Sequence, residues 1–241
     1  VISGLVASSG SGAPIPEVEV CAIAENQAAL VLDGVDDWVQ SASPVLLSDS
    51  GSMAVWLYAD DWNTMPFRGV FAKGGTDSVP GALQAGFSAA AGVELRFGGI
   101  GEAGAVGLNH TDTLLADTGW HHLAVSWGPD AGGTRVRLFW DENLVDNALA
   151  TASVAGESLV RIGVDGNNRY WKGRLDEWQY RNIPLDTVVE GLSTNLPLSD
   201  APGLVWVHRF EPVVLFGEAL AADFATDGRR HARLLGGAAT T

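Results

Sequence analysis

Residues 119–145 read GWHHLAVSWGPDAGGTRVRLFWDENLV, and this stretch decides the fold. Residue character alternates with a period of two on both sides of the break PDAGG, which predicts an antiparallel hairpin with one buried face. The next residues, DENLV, indicate a second tight turn into another strand. The alternating sets that define the hairpin are His121, Leu123, Val125 and Trp127 before the break, and Val136, Leu138 and Trp140 after it.

Short runs rich in Val, Leu, Trp and Phe fill most of the remaining chain, with Gly, Asp and Ser turns between them. Such a series without helix-period segments between the strands predicts an all-β sandwich or jelly roll. A short amphipathic piece at 185–192 is the exception, because Asp186 can cap it as a helix of one or two turns.

Residues 1–24 form two alternating runs about a Ser/Gly/Pro turn, which predicts another hairpin. The piece resembles the opening strand pair of carboxypeptidase-regulatory-like β-sandwich modules, whose remaining strands are absent. Two strands alone are marginally stable in water. We therefore expect residues 1–26 to be an extension packed on a main domain of residues 27–241. The matching residues are Gly4, Val6, Gly12, Pro14, Ile15, Pro16, Val18 and Val20.

Seven motifs in the main domain occur in the order found in one known family. Together they resemble the laminin-G-like, pentraxin-like branch of the concanavalin A-like jelly rolls, which implies a sandwich of two antiparallel sheets. The family usually has Asp-Gly near residues 141–143, and we expect Asn143 to adopt the left-handed conformation there. The motifs are LDGVDDWV (32–39), SMAVWLYA (52–59), GVFAKGG (69–75), GWHHLAVSW (119–127), RLFWDENLV (137–145), VRIGVD (160–165) and GRLDEWQYRNIPL (173–185).

The C-terminal segment resembles what usually precedes the LDGVDDWV strand in this family. Residues 203–210 carry its G-L-V-x-x-x-x-F pattern, and residues 233–238 carry its T-L-x-G-G-A-like piece. Two arrangements follow from this position. The segment at 204–241 either pairs within the chain in a permuted order or exchanges strands with a neighbouring subunit, since unpaired edges accept added strands.

The chain is strongly acidic, with 14 basic and 29 acidic residues and a net charge of −15. This charge repels phosphate backbones and anionic membranes, so nucleic acid is a poor partner. Excess carboxylates suit divalent cations such as calcium, although surface acidity also serves solubility alone.

The cellular location is expected to be extracellular or at the cell surface. Val1 stands where an intact chain has methionine, and a cleaved export signal is one explanation. No apolar run approaches the roughly 18 residues that span a bilayer. Cys21 is the single cysteine, so no intramolecular disulfide forms.

An enzymatic role is not expected. Related glucanases carry an E-x-D-x-x-E pattern on one strand of the concave sheet, and no segment here has it. Neighbouring strand residues point to opposite faces, so the pair Asp176 and Glu177 should not act together. His122 is expected to be a hydrogen-bonded structural histidine, because no other histidine besides His121 is near enough in sequence for a transition-metal site.

The resemblance implies calcium at one rim of the sandwich. Relatives take the ligands from the loops after GVFAKGG and VRIG, where this chain has Asp77 and Asp165 with Asn167 and Asn168. Carboxylate and amide oxygens are what calcium prefers, although Asp and Asn are also ordinary turn residues. A second, structural calcium in the superfamily corresponds to Asp176 and backbone near residues 36–37.

Nine tryptophans are many for 241 residues. Trp62 and Trp171 lie in polar loops, where with Asn168 and Tyr170 they suit stacking against a sugar, or a subunit contact. The other seven lie in strands and are expected in the core. These seven are Trp38, Trp56, Trp120, Trp127, Trp140, Trp178 and Trp206.

We therefore expect a non-enzymatic module of recognition or adhesion that binds glycan or extracellular matrix, with calcium as its cofactor. The alternative is a structural subunit of an extracellular filament, surface layer or virion that polymerises through its terminal strands.

Overall fold

The computed structural model describes residues 29–41, 44–59, 61–62, 64, 66–74, 76, 78–111, 119–185, 203–215, 218–224, 230–235 and 239–240. The described parts are strands and turns without a helix. The strands are β1 (Leu30–Asp33), β2 (Trp38–Ser41), β3 (Val45–Leu47), β4 (Gly51–Tyr58), β5 (Arg68–Lys73), β6 (Leu83–Ser88), β7 (Gly92–Phe97), β8 (Val106–His110), β9 (His121–Asp130), β10 (Gly133–Trp140), β11 (Asn143–Ala150), β12 (Gly156–Ser158), β13 (Val160–Ile162), β14 (Lys172–Arg181), β15 (Leu204–Leu215), β16 (Glu218–Phe224), β17 (Arg230–Leu235) and β18 (Ala239–Thr240).

Two large antiparallel sheets form the sandwich, which confirms the jelly-roll prediction. The first sheet has the order β11-β10-β9-β4-β14, and β14 pairs on its far side with β1 and with β15. The second sheet has the order β17-β2-β13-β5-β6-β7-β8. A small third sheet consists of β3 and β12.

The described strands of the C-terminal segment pair within the chain. β15 lies beside β14, β16 beside β15, and β17 beside β2 of the second sheet. β18 pairs with β1. This pairing has the permuted order considered for 204–241, and strand exchange with a neighbouring subunit stays a prediction. The hairpin expected at 1–24 lies outside the described residues, and so does the helix expected at 185–192 apart from Leu185.

The hairpin that decides the fold forms as predicted, except that β9 is buried on both faces from His121 to Gly128. Its register places Asp130 opposite Gly133 across a two-residue turn, and Leu123 opposite Trp140 at the far end. The next turn differs from the expectation for Asn143, because the left-handed residues are Asp141 and Glu142, with φ of 46° and 68°. A two-residue hairpin turn takes positive φ at both central positions, and here these are Asp141 and Glu142. Asn143 follows the turn as the first residue of β11.

An aromatic cluster joins the two sheets in the core. Trp62 lies with its ring edge-on to Phe87 at 4.8 Å, to His121 at 5.1 Å and to Trp171 at 5.7 Å between ring centroids. His121 also stacks on Trp140 at 4.9 Å. We call these five residues the aromatic cluster.

The position of Trp62 and Trp171 corrects the prediction that they form a sugar-stacking platform. Trp62 is 3% exposed and Trp171 is fully buried, so neither ring offers a face to a ligand. Apolar rings of this size gain more by burial than by exposure in a polar loop, and both loops fold inward. Of the seven strand tryptophans, Trp127, Trp140 and Trp178 are buried as expected.

We predict that Trp171→Ala lowers the free energy of unfolding by about 3–5 kcal/mol, because it leaves a cavity in the aromatic cluster. Equilibrium denaturation in urea measures this loss. Trp120→Ala is the matched control, since Trp120 is 39% exposed and its removal should change stability by about 1 kcal/mol or less. Equal losses in the two variants would contradict the burial of Trp171.

Candidate functional site

The outer face of the first sheet carries aromatic and polar side chains at consecutive positions. In β4, Met53, Val55 and Leu57 are buried in the core, so the alternating residues Trp56 and Tyr58 lie on the opposite face. The neighbouring strand β14 places side chains beside these two, with Asp176 opposite Trp56 and Arg174 opposite Tyr58. On the other side of β4, His122 is opposite Trp56, and Trp120 follows in the same direction.

Only one end of this face is open among the described residues. At the other end, the segment after β14 crosses the sheet: Ile183 accepts a hydrogen bond from the Ser52 hydroxyl at 3.1 Å, and Leu185 donates one to Ser126 at 2.7 Å. Leu185 also packs on a small apolar cluster of the sheet. The open end holds Trp56, Tyr58, Trp120, Arg174 and Asp176, which we call the outer strip.

Three side chains of the outer strip contact one another. The rings of Tyr58 and Trp120 are 5.7 Å apart between centroids, and the Arg174 guanidinium lies 5.3 Å from the centre of the Tyr58 ring. Trp120 is 39% exposed, Arg174 is exposed, and Trp56, Tyr58 and Asp176 are half-buried. The strip is therefore an accessible surface of fixed aromatic rings with one cation and one carboxylate.

His122 lies beneath the strip and is 1% exposed. Its ring is 5.0 Å from the Trp56 ring, and neither ring nitrogen has a hydrogen-bond partner, in contrast to the expected bonded histidine. Burial lowers the pKa of His122 from 6.5 to about 4, although the charges of Glu142 and Asp141 oppose the shift. The imidazole is therefore neutral near pH 7.

Asp141 holds the end of β9 in place. Its Oδ1 accepts the His122 backbone N–H at 2.9 Å, and its Oδ2 lies 2.8 Å from His121 Nδ1. Burial raises the pKa of Asp141, but hydrogen bonds from the His121 ring and the His122 N–H outweigh it, so that the pKa is lowered overall. Two histidines on opposite faces of β9 are thus positioned by one carboxylate.

At the rim, where the resemblance implies a calcium site, the described carboxylate of Asp165 already has protein donors as partners. Asp165 is buried, and its Oδ1 accepts the N–H groups of Asn167 and Arg169, each at 2.9 Å. Its Oδ2 accepts the Arg169 guanidinium at 2.5 Å. A carboxylate already bonded to a guanidinium does not fit a cation site. Asp77 lies outside the described residues.

The remaining sequence-predicted residues separate into different surroundings. Asn167 and Asn168 are exposed on the turn after β13, where Asn168 has a φ of 58°. Tyr170 is half-buried, and its carbonyl accepts a hydrogen bond from Arg68 at 3.0 Å. A ligand role for Asn168 and Tyr170 stays a prediction.

Asp176 lies on the outer strip rather than near residues 36–37. The β1–β14 register sets Asp33 opposite Lys172, four residues before Asp176, which corresponds to about 13 Å along the strand. The pair Asp176 and Glu177 also spans a bulge, with a φ of 48° at Glu177, so the strict alternation assumed for this pair is interrupted.

Trp56 and Trp120 were expected in the core and instead lie on the outer strip. The alternation in SMAVWLYA could have predicted the outward position of Trp56. It places Trp56 and Tyr58 on the face opposite to the apolar residues Met53, Val55 and Leu57. Two outward aromatic residues on one strand are unusual for a solvated sheet face and indicate a contact surface.

The family model Laminin_G_3, of the concanavalin A-like lectin/glucanases superfamily, matches residues 33–186. No curated protein sequence matches the chain significantly.

Solved structures share the fold at low sequence identity. A heptameric SAP-like pentraxin from Limulus polyphemus aligns with a TM-score of 0.53 and 11% identity over 86% of this chain and 94% of its own. A candidate carbohydrate-binding protein from Bacteroides ovatus aligns with a TM-score of 0.55 and 12% identity over 87% of this chain and 60% of its own. Domains LG4–5 of the mouse laminin α1 chain align with a TM-score of 0.51 and 13% identity over 68% of this chain and 44% of their own. The chain thus spans only part of the last two proteins.

The neutral, buried His122 predicts a pH dependence of stability. Its folded-state pKa of about 4 is below the ordinary 6.5, so the unfolded chain binds the proton more readily. The stabilisation is complete above about pH 7 and is lost as the pH falls from about 6.5 to 4. From about pH 7.5 to 5, the wild type should lose about 2 kcal/mol more than His122→Gln in urea unfolding. Parallel pH profiles of the two proteins would contradict the burial of a neutral imidazole.

Proposed function

We propose that this chain, which belongs to the Laminin_G_3 family of the concanavalin A-like lectin/glucanases superfamily, binds glycans through its outer strip. The observation that carries the proposal is the pair of rings of Tyr58 and Trp120, held 5.7 Å apart on the open end of a rigid sheet. Aromatic faces stack on the apolar faces of sugar rings, and sheet residues hold them in fixed positions.

The polar members of the outer strip supply the directional contacts that a sugar needs. Arg174 only donates hydrogen bonds and an ionised Asp176 only accepts them, so together they match the hydroxyl groups of a sugar, which do both. The two residues are on the same side of β14, two positions apart, and are therefore about 7 Å apart along the strand. This spacing suits one sugar ring resting on the adjacent aromatic residues.

The proposed role is binding without catalysis. A heptameric pentraxin and laminin LG4–5 share the fold, and the E-x-D-x-x-E pattern of related glucanases is missing here. The proposed ligand is a glycan on a cell or in the extracellular matrix, and the proposed location of the protein is extracellular or at the cell surface. The alternative of a strand-exchanged filament receives less support, because β15 and β17 pair within the chain.

The binding proposal predicts that Trp120→Ala weakens glycan affinity at least tenfold without unfolding the protein, since an exposed aromatic contact is lost. A glycan array identifies a binding sugar, and isothermal titration calorimetry with that sugar measures the dissociation constant. Tyr58→Ala should have an effect of the same order.

Leu144→Ala is the matched control, because Leu144 is 51% exposed on β11 and outside the outer strip. Its affinity should equal that of the wild type. An unchanged affinity in Trp120→Ala would place the binding site elsewhere, and release of reducing sugar from the bound glycan would contradict a role without catalysis.

A further inference from the structure

Edge strands of both sheets lie next to each other along one side of the sandwich. β11 is the last strand of the first sheet and β8 is the last strand of the second, and the two strands contact each other without forming a ladder. Among the described strands, neither has a strand paired with its outer edge. An edge of this kind presents backbone N–H and C=O groups that can pair with a strand of another chain.

The carboxylate of Asp146 occupies backbone donors of both edge strands. Its Oδ2 accepts the N–H of Asn109 in β8 at 3.0 Å, and its Oδ1 accepts the N–H of Asn147 in β11 at 2.7 Å. Hydrogen bonds to an ionised acceptor are stronger than those between neutral groups. A strand from another molecule would therefore have to displace this carboxylate before it could bond to either N–H group.

The position of Asp146 is unusual for a charged residue, because its side chain shares the inner face of β11. Asp146 lies opposite the core residue Leu138, and Ala148, two positions further on, packs against the core. The register shifts beside Asp146 and leaves Val145 unpaired with β10, which is a β-bulge. An inward-pointing charge and a bulge are both features by which edge strands avoid pairing with other chains.

A second contact holds the two edges together near the end of β11. The Gly104 carbonyl accepts the N–H of Thr151 at 3.0 Å and the N–H of Ala152 at 3.1 Å. Gly104 has a φ of 76°, and a Cβ at this position would overlap the Thr151 side chain, so glycine is required for the close approach. This contact keeps the connection before β8 beside β11 and so keeps Asn109 within reach of Asp146.

The edge of β11 has the character of a surface that fits a second copy of the chain. Leu144 and Leu149 are 51% and 39% exposed, and both lie on its outer face. Antiparallel pairing of β11 with itself satisfies a two-fold axis, because each copy contributes the same edge. An axis between Asp146 and Asn147 would set Leu144 of one copy opposite Leu149 of the other. It would also bring the two Asp146 carboxylates together, where they repel each other.

We propose that Asp146 keeps this edge closed and so prevents two copies of the chain from pairing through β11. Such pairing would join the two first sheets into one continuous sheet that carries two outer strips. Asp146 would then determine how many glycan sites one particle presents, and two linked sites bind a multivalent glycan surface far more tightly than one. This consequence rests on the proposed function, whereas the closed edge does not.

The test is the native mass of the full chain, measured by light scattering over a series of concentrations. Asp146→Ala removes both acceptor oxygens, so its mass should rise with concentration to twice that of the wild type. Asp146→Asn keeps one acceptor oxygen and should associate less strongly than Asp146→Ala, but more than the wild type. At concentrations too low for pairing, the amides of Asn109 and Asn147 should exchange hydrogen at least about tenfold faster in both variants.

Asp130→Ala is the matched control. It removes the same charge and also a carboxylate that accepts a backbone N–H, that of Ala131 at 2.6 Å, but it lies at the turn between β9 and β10. Its mass should equal that of the wild type. The double variant Asp146→Ala/Leu149→Lys should return to the wild-type mass, because lysine on an edge strand opposes pairing. Leu149 is exposed, so lysine can be accommodated there.

Three results would overturn the proposal. The first is a wild-type mass for both Asp146 variants across the whole series. The second is association that persists in the double variant, because the contact would then lie on another surface. The third is unchanged amide exchange at Asn109 and Asn147 in Asp146→Asn, the variant closest in size to the wild type. None of these measurements involves a glycan, so failure of the proposed function would leave their outcome unaffected.

Discussion

The aromatic cluster between the two sheets is the contact on which the rest of the structure depends. Trp62 and Trp171 come from connections, Phe87 from the second sheet, and His121 and Trp140 from the first. Each edge-to-face or stacked pair contributes about 0.5–1.5 kcal/mol beyond the burial of its area. The Trp62 ring contacts the other four. The cluster therefore fixes both the distance between the sheets and the course of the two loops.

The cluster also determines which rings remain available outside. His121 points into it, so the next residue, His122, must face outwards, and the register then places Trp56 beside His122. The segment near Leu185 covers the other end of the sheet, which leaves the outer strip accessible. Core packing and the proposed glycan surface are therefore two consequences of one strand register.

Period-two alternation was sufficient to predict the strands, the sandwich and the central hairpin. The same alternation could also have revealed Trp56 as an outward residue. It could not reveal Trp62 or Trp171, because their sequence neighbours are polar and the residues that bury them are distant in the chain. Asp165 shows another limit: a turn rich in Asp and Asn suggests metal ligands, but Arg169 four residues later supplies the positive charge instead.

The central claim is that recognition occurs on the outer strip, whereas Trp62 and Trp171 serve the core. Fluorine NMR of the protein labelled with 5-fluorotryptophan tests it directly, since each of the nine tryptophans gives its own resonance. With resonances assigned by single substitution, a bound glycan should shift Trp120 and Trp56 most and leave Trp62 and Trp171 nearly unchanged. A shift confined to other tryptophans, with Trp120 and Trp56 unaffected, would contradict the account.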